Sequence, residues 1–263
     1  MDNRLSTAQI EHYRRHGYVS PLPALRPAKA EALRLRLEAF EAETGQKAGS
    51  LRKKGHLKLM AIYNLVSHPA ILDAVESVIG PNILCWATSL FVKDPYDPGF
   101  VAWHQDSHYW ELEPDDVVSA WIALAPSTLE NGAMRVIPST HLTSPFDHRA
   151  SAADSANMLS GREEIAVDID ESQAVDLVLR QGEMSLHHVK IVHGSPPNRS
   201  AARRYGLAIR YVAPHVRNED KWTSALLVRG RNEPSNFMPD PVPTRDMDPD
   251  IVAFVDRTWK RQR

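Results

Sequence analysis

Over the first third of the chain, apolar positions recur at helical spacing. Ser6 followed by Gln9 has the form of a capping box, Ile10 and Tyr13 share a face, and Gly17 is placed to end a short helix. A second helix is predicted to begin at Pro27, carry Leu33, Leu37 and Phe40 on one face and end near Gly45, and a third to run from Pro69 to Gly80. Both read as outer supports. Between them, Ser50 to His56 is basic and polar, with Arg52, Lys53, Lys54 and His56, and is expected as a solvated loop in preference to an arm over a pocket.

From Asn82 onward the pattern changes to short apolar runs rich in β-branched and aromatic residues. Candidate strands are Ile83 to Lys93, Val117 to Ala125, Met134 to Pro138, Ile165 to Ile169, Val175 to Leu179, Glu183 to His188 and Arg204 to Val212. Turn signals separate them at Asp94 to Gly99, Glu130-Asn131-Gly132, Gln181-Gly182 and His193 to Pro196. Helices first and about eight strands afterwards predict a mainly β fold, a sandwich or jelly roll buttressed by N-terminal helices. With no internal repeat and no credible linker, a single domain over residues 1–263 is expected: 1–81 mainly helical support, 82–213 the core, 214–263 a C-terminal lid and tail. Two long irregular regions, Leu142 to Glu164 and Pro214 to Met247, read as lids or disordered loops. The second, with Val216, Arg217, Trp222 and Phe237, is expected to fold over the mouth.

Composition narrows the partners. With 31 basic and 33 acidic residues there is no field to attract nucleic acid or an anionic membrane. The N-terminal stretch lacks the apolar region of a signal peptide and no segment approaches the roughly 20 apolar residues of a membrane span. The single cysteine, Cys85, lies in an apolar run and reads as a buried inert thiol. A cytoplasmic protein acting on a small molecule is the expectation. The pattern carries no information on oligomeric state.

Candidate chemistry centres on Trp103 to Trp110. On a strand, His104 and Asp106 share a face, and together they supply two of the three protein ligands of a 2-His-1-carboxylate iron(II) site. Among the 12 histidines, His193 is the candidate third ligand, delivered by the apolar pair Ile191-Val192 to a strand end. Arg204 follows eleven residues later at the head of an alternating strand, and its planar fork suits the far carboxylate of a dicarboxylate cosubstrate; Ser195 can add a hydroxyl.

These residues carry a resemblance. His104-Gln105-Asp106, Ala120-Trp121, the run Glu130 to His141, and His193-Gly194-Ser195 with Arg204 resemble the phytanoyl-CoA dioxygenase family over roughly Ser6 to Pro214. The resemblance implies a double-stranded β-helix, of the cupin-like jelly-roll kind, that uses iron(II), 2-oxoglutarate and O2 to hydroxylate an unactivated C–H bond. It implies His104, Asp106 and His193 as iron ligands, Arg204 with Ser195 as the clamp on the 5-carboxylate, and Trp121 beside the cosubstrate. The carboxylate retained at Asp106 disfavours halogenation, which needs a small residue there. A natural-product or amino-acid-like metabolite is the expected substrate. An acyl-CoA is disfavoured, because only scattered basic candidates such as Lys54, Lys190, Arg217 and Lys221 are visible.

His108, His188, Lys93 and Trp110 are candidate substrate residues, each with a plainer reading as a solvated or packed side chain. Gln105, Trp103 and Tyr109 are wall residues or packing, and whether Arg210 and Tyr211 point inward depends on a register that one residue of slip reverses. Two other functions stay open: a cupin-like isomerase or hydrolase that uses another divalent ion without 2-oxoglutarate, and a non-catalytic ligand-binding jelly roll.

Overall fold

In the computed structural model, residues 3–152, 155–159, 163–218, 223–232 and 236–260 are described. The chain opens with α1 (Thr7–His16), β1 (Tyr18–Pro23) and α2 (Pro27–Thr44), continues through α3 (Gly55–Lys58), α4 (Met60–Val66) and α5 (Pro69–Ile79), and then enters β2 (Ile83–Lys93). β3 (Val101–His104), α6 (Ser107–Trp110), β4 (Val117–Ala123), β5 (Met134–Ile137), β6 (His148–Ala150) and β7 (Glu163–Ile165) follow. The last third holds β8 (Val175–Leu177), β9 (Glu183–His188), β10 (Val192–Ser195), β11 (Arg204–Val212), β12 (Ser224–Arg229), β13 (Met238–Pro239) and α7 (Pro249–Lys260).

The caps behave as the sequence predicts. The Ser6 hydroxyl accepts from the Gln9 amide and the Gln9 side chain accepts from the Ser6 amide, while Gly17 and Gly45 close α1 and α2 in the left-handed conformation.

Seven strands form one sheet in the order β1-β9-β4-β11-β2-β12-β13, and four form a second in the order β3-β10-β5-β8. The two sheets face each other as the double-stranded β-helix that the sequence resemblance implies. One face of the large sheet packs on the helices: Val118, Ala120, Ile122, Leu186, Leu207 and Ile209 meet Leu33, Leu37, Phe40, Ile71 and Val75 in one apolar cluster. Its other face, through Trp121, Ala123 and Ala208, meets Met134, Val136 and Leu177 of the small sheet. Every residue of β4 is therefore buried.

Several expectations need correction. The Ser50 to His56 segment is not a solvated loop: Lys54 and His56 are buried, and Lys54 Nζ donates to Asp240 Oδ2 at 2.7 Å, to Ser224 O at 2.8 Å and to Trp86 O at 2.9 Å. A charge placed among three acceptors is drawn inside, so net polarity misleads about this arm. The strand expected at Ile165 to Ile169 lies instead at Glu163–Ile165, where it pairs with His148–Ala150. β1 was not foreseen because Pro21 and Pro23 argue against a strand; the structure places it on the sheet edge, where proline is tolerated.

The Pro214 to Met247 region is also more built than a lid. β12 extends the large sheet beyond β2, and Val216 and Phe237 are buried with Trp86 and Leu112. Trp222 lies outside the described residues. No helix among the described residues is long and apolar enough to cross a membrane.

The Lys54–Asp240 pair ties the arm to the C-terminal region with both side chains removed from solvent. Replacing Asp240 by Ala is expected to destabilise the protein by about 3–5 kcal/mol, because it strands a buried ammonium. Urea unfolding measures this, and a loss under about 1 kcal/mol, the range of an exposed pair, would show that the contact carries little.

Candidate metal centre and cavity

His104 and His193 are register partners on the antiparallel strands β3 and β10, with ring centroids 4.1 Å apart. Asp106 joins them, but not by strand alternation. β3 ends at His104, and Asp106 has helical dihedrals (φ −59°, ψ −34°) as the residue that opens α6. The two-residue spacing therefore works through a strand-to-helix turn, held by Gln105, whose amide side chain donates to Lys190 O at 2.7 Å and accepts from Phe146 N at 2.8 Å.

The donor atoms are prepared for a cation. One ligand atom from each of His104, Asp106 and His193 lies within 4.8 Å of the others, and all three residues are buried. His104 Nδ1 lies 2.9 Å from Ala102 O, and His193 Nδ1 lies 3.0 Å from Ile191 O. A carbonyl only accepts, so each Nδ1 carries a proton and each Nε2 is the atom left to face a metal. Both Nε2 atoms face the same carboxylate, at 3.6 Å from Oδ1 for His104 and 4.0 Å from Oδ2 for His193. Burial would raise the Asp106 carboxyl, yet the two imidazoles and Arg210 hold it well below the usual carboxylate range. Burial, helped by the neighbouring His104, pushes the His193 imidazole well below its ordinary value. A neutral imidazole beside an ionised carboxylate is the protonation state a metal requires.

The centre opens into a cavity of about 140 Å³ between the two sheets. At one end Arg204 is buried, its Nη1 donating to Gly132 O and its guanidinium 5.5 Å from the Trp121 ring centroid. Gly206 makes room for that ring, since a Cβ there would overlap it. Lys93, the register partner of Arg204, donates to Ser195 Oγ at 2.8 Å and also to Pro196 O. Burial and then the Arg204 charge push the Lys93 amine down to about 6, and burial pushes Arg204 down to about 10. Arg204 has no ion-pair partner among the described residues, and the Lys93 amine, pushed this low, adds little positive charge near neutral pH. A buried positive end without an anion suits a carboxylate that arrives with a ligand.

The candidate residues divide accordingly. Trp121, Ser195 and Arg204 gather at one end of the cavity and Trp110 lines its wall. Lys93 lies beside Arg204 and Ser195 rather than toward the substrate space. His108 faces outward, 3.2 Å from Glu163 and stacked on His148 at 3.9 Å. His188 turns toward the helices, its ring 5.0 Å from that of His141, while its neighbour His187 enters the cavity. Tyr211 packs in the core, with its hydroxyl donating to Val66 O at 3.0 Å, whereas Arg210 lines the cavity. Ser119 and Trp86, which carry no sequence signal of their own, also line it, as do His187, one of the two histidines that end the Glu183 to His188 strand, and Arg52 of the basic 50–56 segment.

Two facing sheets with a buried His-Asp-His donor set on the smaller one define a metal-centred double-stranded β-helix. The phytanoyl-CoA dioxygenase model matches residues 13–206, and the chain belongs to that family. It is 32% identical over 176 residues to a probable alpha-ketoglutarate-dependent hypophosphite dioxygenase of Stutzerimonas stutzeri, covering 66% of this chain and 61% of that protein. It is 31% identical over 160 residues to the peroxisomal phytanoyl-CoA dioxygenase of Homo sapiens, covering 58% of this chain and 46% of that one. The chain thus spans about half to three fifths of the length of these relatives. Among solved structures, the apo non-heme monooxygenase ThoJ is 36% identical with a TM-score of 0.83, covering 97% of this chain and 95% of that one. CytC3 with Fe(II) and alpha-ketoglutarate, at 21% identity and a TM-score of 0.69 over 94% and 97% of the two chains, shares the fold.

Anaerobic calorimetry with Fe(II) is expected to find one site. His193→Ala and Asp106→Ala should each weaken it beyond the about 10- to 100-fold that loss of an outer partner causes. Undiminished binding in both variants would remove these residues as ligands.

Proposed function

We propose that this chain is an Fe(II)- and 2-oxoglutarate-dependent dioxygenase that hydroxylates an unactivated C–H bond of a small natural-product or amino-acid-like molecule, releasing succinate and CO2. The observation that carries this reading is the pairing of two features in one cavity: a buried His-Asp-His donor set, and a buried guanidinium at Arg204 with no ion-pair partner among the described residues. The first calls for a metal and the second for a dicarboxylate beside it. Family membership and the likeness to ThoJ support the same reading.

His104 Nε2, Asp106 and His193 Nε2 would hold the iron on one face and leave its other positions open. Iron with 2-oxoglutarate and O2 supplies the oxidising chemistry. The chain's own part is placement. Arg204 would bind the far carboxylate of 2-oxoglutarate, with Ser195 and Lys93 beside it and the Trp121 indole as an apolar neighbour of the same end. The carbonyls of Ala102 and Ile191 hold both imidazoles in one tautomer and one orientation. Trp86, Trp110 and Tyr109 wall the substrate space and keep bulk water from the metal. An isomerase, a hydrolase or a binding module would not need a dicarboxylate anchored beside the metal, whereas a 2-oxoglutarate-dependent oxygenase does.

Purified protein with Fe(II), 2-oxoglutarate and O2 is expected to form succinate slowly even without substrate, and to stop when iron is chelated. In Arg204→Met the 2-oxoglutarate KM should rise at least about 30-fold, the lower bound for truncating one partner of a buried charge pair. Succinate formed without iron, or an unchanged KM in the variant, would overturn the assignment.

A further inference from the structure

Arg210 is the second deep guanidinium of the cavity, on the same face of β11 as Arg204 and six residues beyond it, about 20 Å along an extended strand. Its register partner on β4 is Ser119, and Ser119 pairs in turn with His187 on β9. The three side chains form one row across the sheet and all line the cavity. Each keeps a buried polar atom without a partner: Nε of Arg210, Oγ of Ser119 and Nδ1 of His187. Buried polar atoms are seldom left unsatisfied in a native fold, and three in one cavity-lining row mark a recess built for a polar group.

The charge of that group follows from the surroundings. Arg210 is anchored by Nη1 donating to Ser89 Oγ at 2.7 Å and lies 4.9 Å from the Trp110 ring centroid, but among the described residues it forms no ion pair, and Asp106 is its nearest acidic influence. Among the described residues that line the cavity, Asp106 is the only carboxylate. With a divalent iron and the doubly negative cosubstrate in place, their charges cancel against those of Asp106 and Arg204, and Arg210 is left uncompensated. Arg52 of the 50–56 arm also lines the cavity, donates to Gly49 O and Met158 O, and among the described residues has no acidic partner. An unpaired buried cation is costly unless an anion arrives with the ligand.

We propose that Arg210, with Ser119 and His187, receives an oxyanion of the substrate, so that the molecule oxidised carries a carboxylate, phosphonate or similar group while its apolar body lies against Trp86, Trp110 and Tyr109. This rests on the oxygenase reading above and adds the class of substrate to it. Arg210 is a substrate-binding residue, separate from the cosubstrate clamp at Arg204.

The test is an anaerobic calorimetric titration of the Fe(II)–2-oxoglutarate protein with phenylacetate, phenylphosphonate and the neutral phenylacetamide, with the visible absorption of the chelated keto acid recorded on every sample. At least one anion is expected to bind about tenfold or more tighter than the amide. Arg210→Met should reduce that preference to within about threefold while the absorption band persists, and Arg210→Lys should retain part of it. Anions that bind no better than the amide, no binding by any probe, or a preference that survives Arg210→Met would each overturn the proposal. A missing band in the unaltered protein means instead that the oxygenase reading has failed and takes the proposal with it. A normal band without anion preference removes the role of Arg210 alone.

Discussion

The two-residue period of β11 is the constraint on which the structure depends. Tyr205, Leu207, Ile209 and Tyr211 enter the core against the helices, and Arg204, Ala208 and Arg210 therefore face the opposite sheet. A slip of one residue would drive two guanidiniums into the helical core and expose a row of large apolar groups to the cavity. The apolar face is thus what holds the charged face in register. β4 follows the same rule, with Val118, Ala120 and Ile122 on the helix side and Ser119 and Trp121 on the cavity side.

The cavity is chemically lopsided as a consequence. The large sheet brings the Arg204 and Arg210 guanidiniums, an indole and the His187 imidazole, while the small sheet and the turn that follows β3 bring His104, His193 and the carboxylate. Among the described lining residues Asp106 stands as the only acid, and it sits amid His104, His193 and Arg210, which together hold it ionised against its burial. Arg204 and Lys93 are deep enough for burial to lower both, so the empty site disfavours positive charge and Arg204, which stays charged, is held there at a cost. Such an arrangement destabilises the empty protein and favours whatever negative ligand completes it.

What the sequence discloses is mostly local or periodic. Capping is set by a few neighbouring residues, so Ser6, Gly17, Pro27, Gly45, Pro69 and Gly80 mark helix ends that the structure reproduces. The long strands Ile83–Lys93, Glu183–His188 and Arg204–Val212 are equally legible from alternation. The metal-site candidates are readable because three residues, two histidines and an aspartate, stand at spacings that the family resemblance recognises, and the structure brings those three together. Harder to read is whatever depends on a partner distant in sequence. Lys54 looks solvated until Asp240 and Ser224 are placed around it. His187 and His188 are indistinguishable until β9 is paired with β4, and Arg210 stays ambiguous until β11 is paired with both of its neighbours.

On the proposed reading, the His-Asp-His set holds the iron and the guanidinium of Arg204 holds the far end of the 2-oxoglutarate that chelates it, two halves of one site. The most direct test is visible absorption of the anaerobic protein during titration with Fe(II) and then 2-oxoglutarate. A weak charge-transfer band that appears only after both additions, is lost in His193→Ala and is weakened in Arg204→Met is the predicted result. Iron that binds while 2-oxoglutarate raises no band would contradict it, leaving a metal-binding β-helix with a different chemistry.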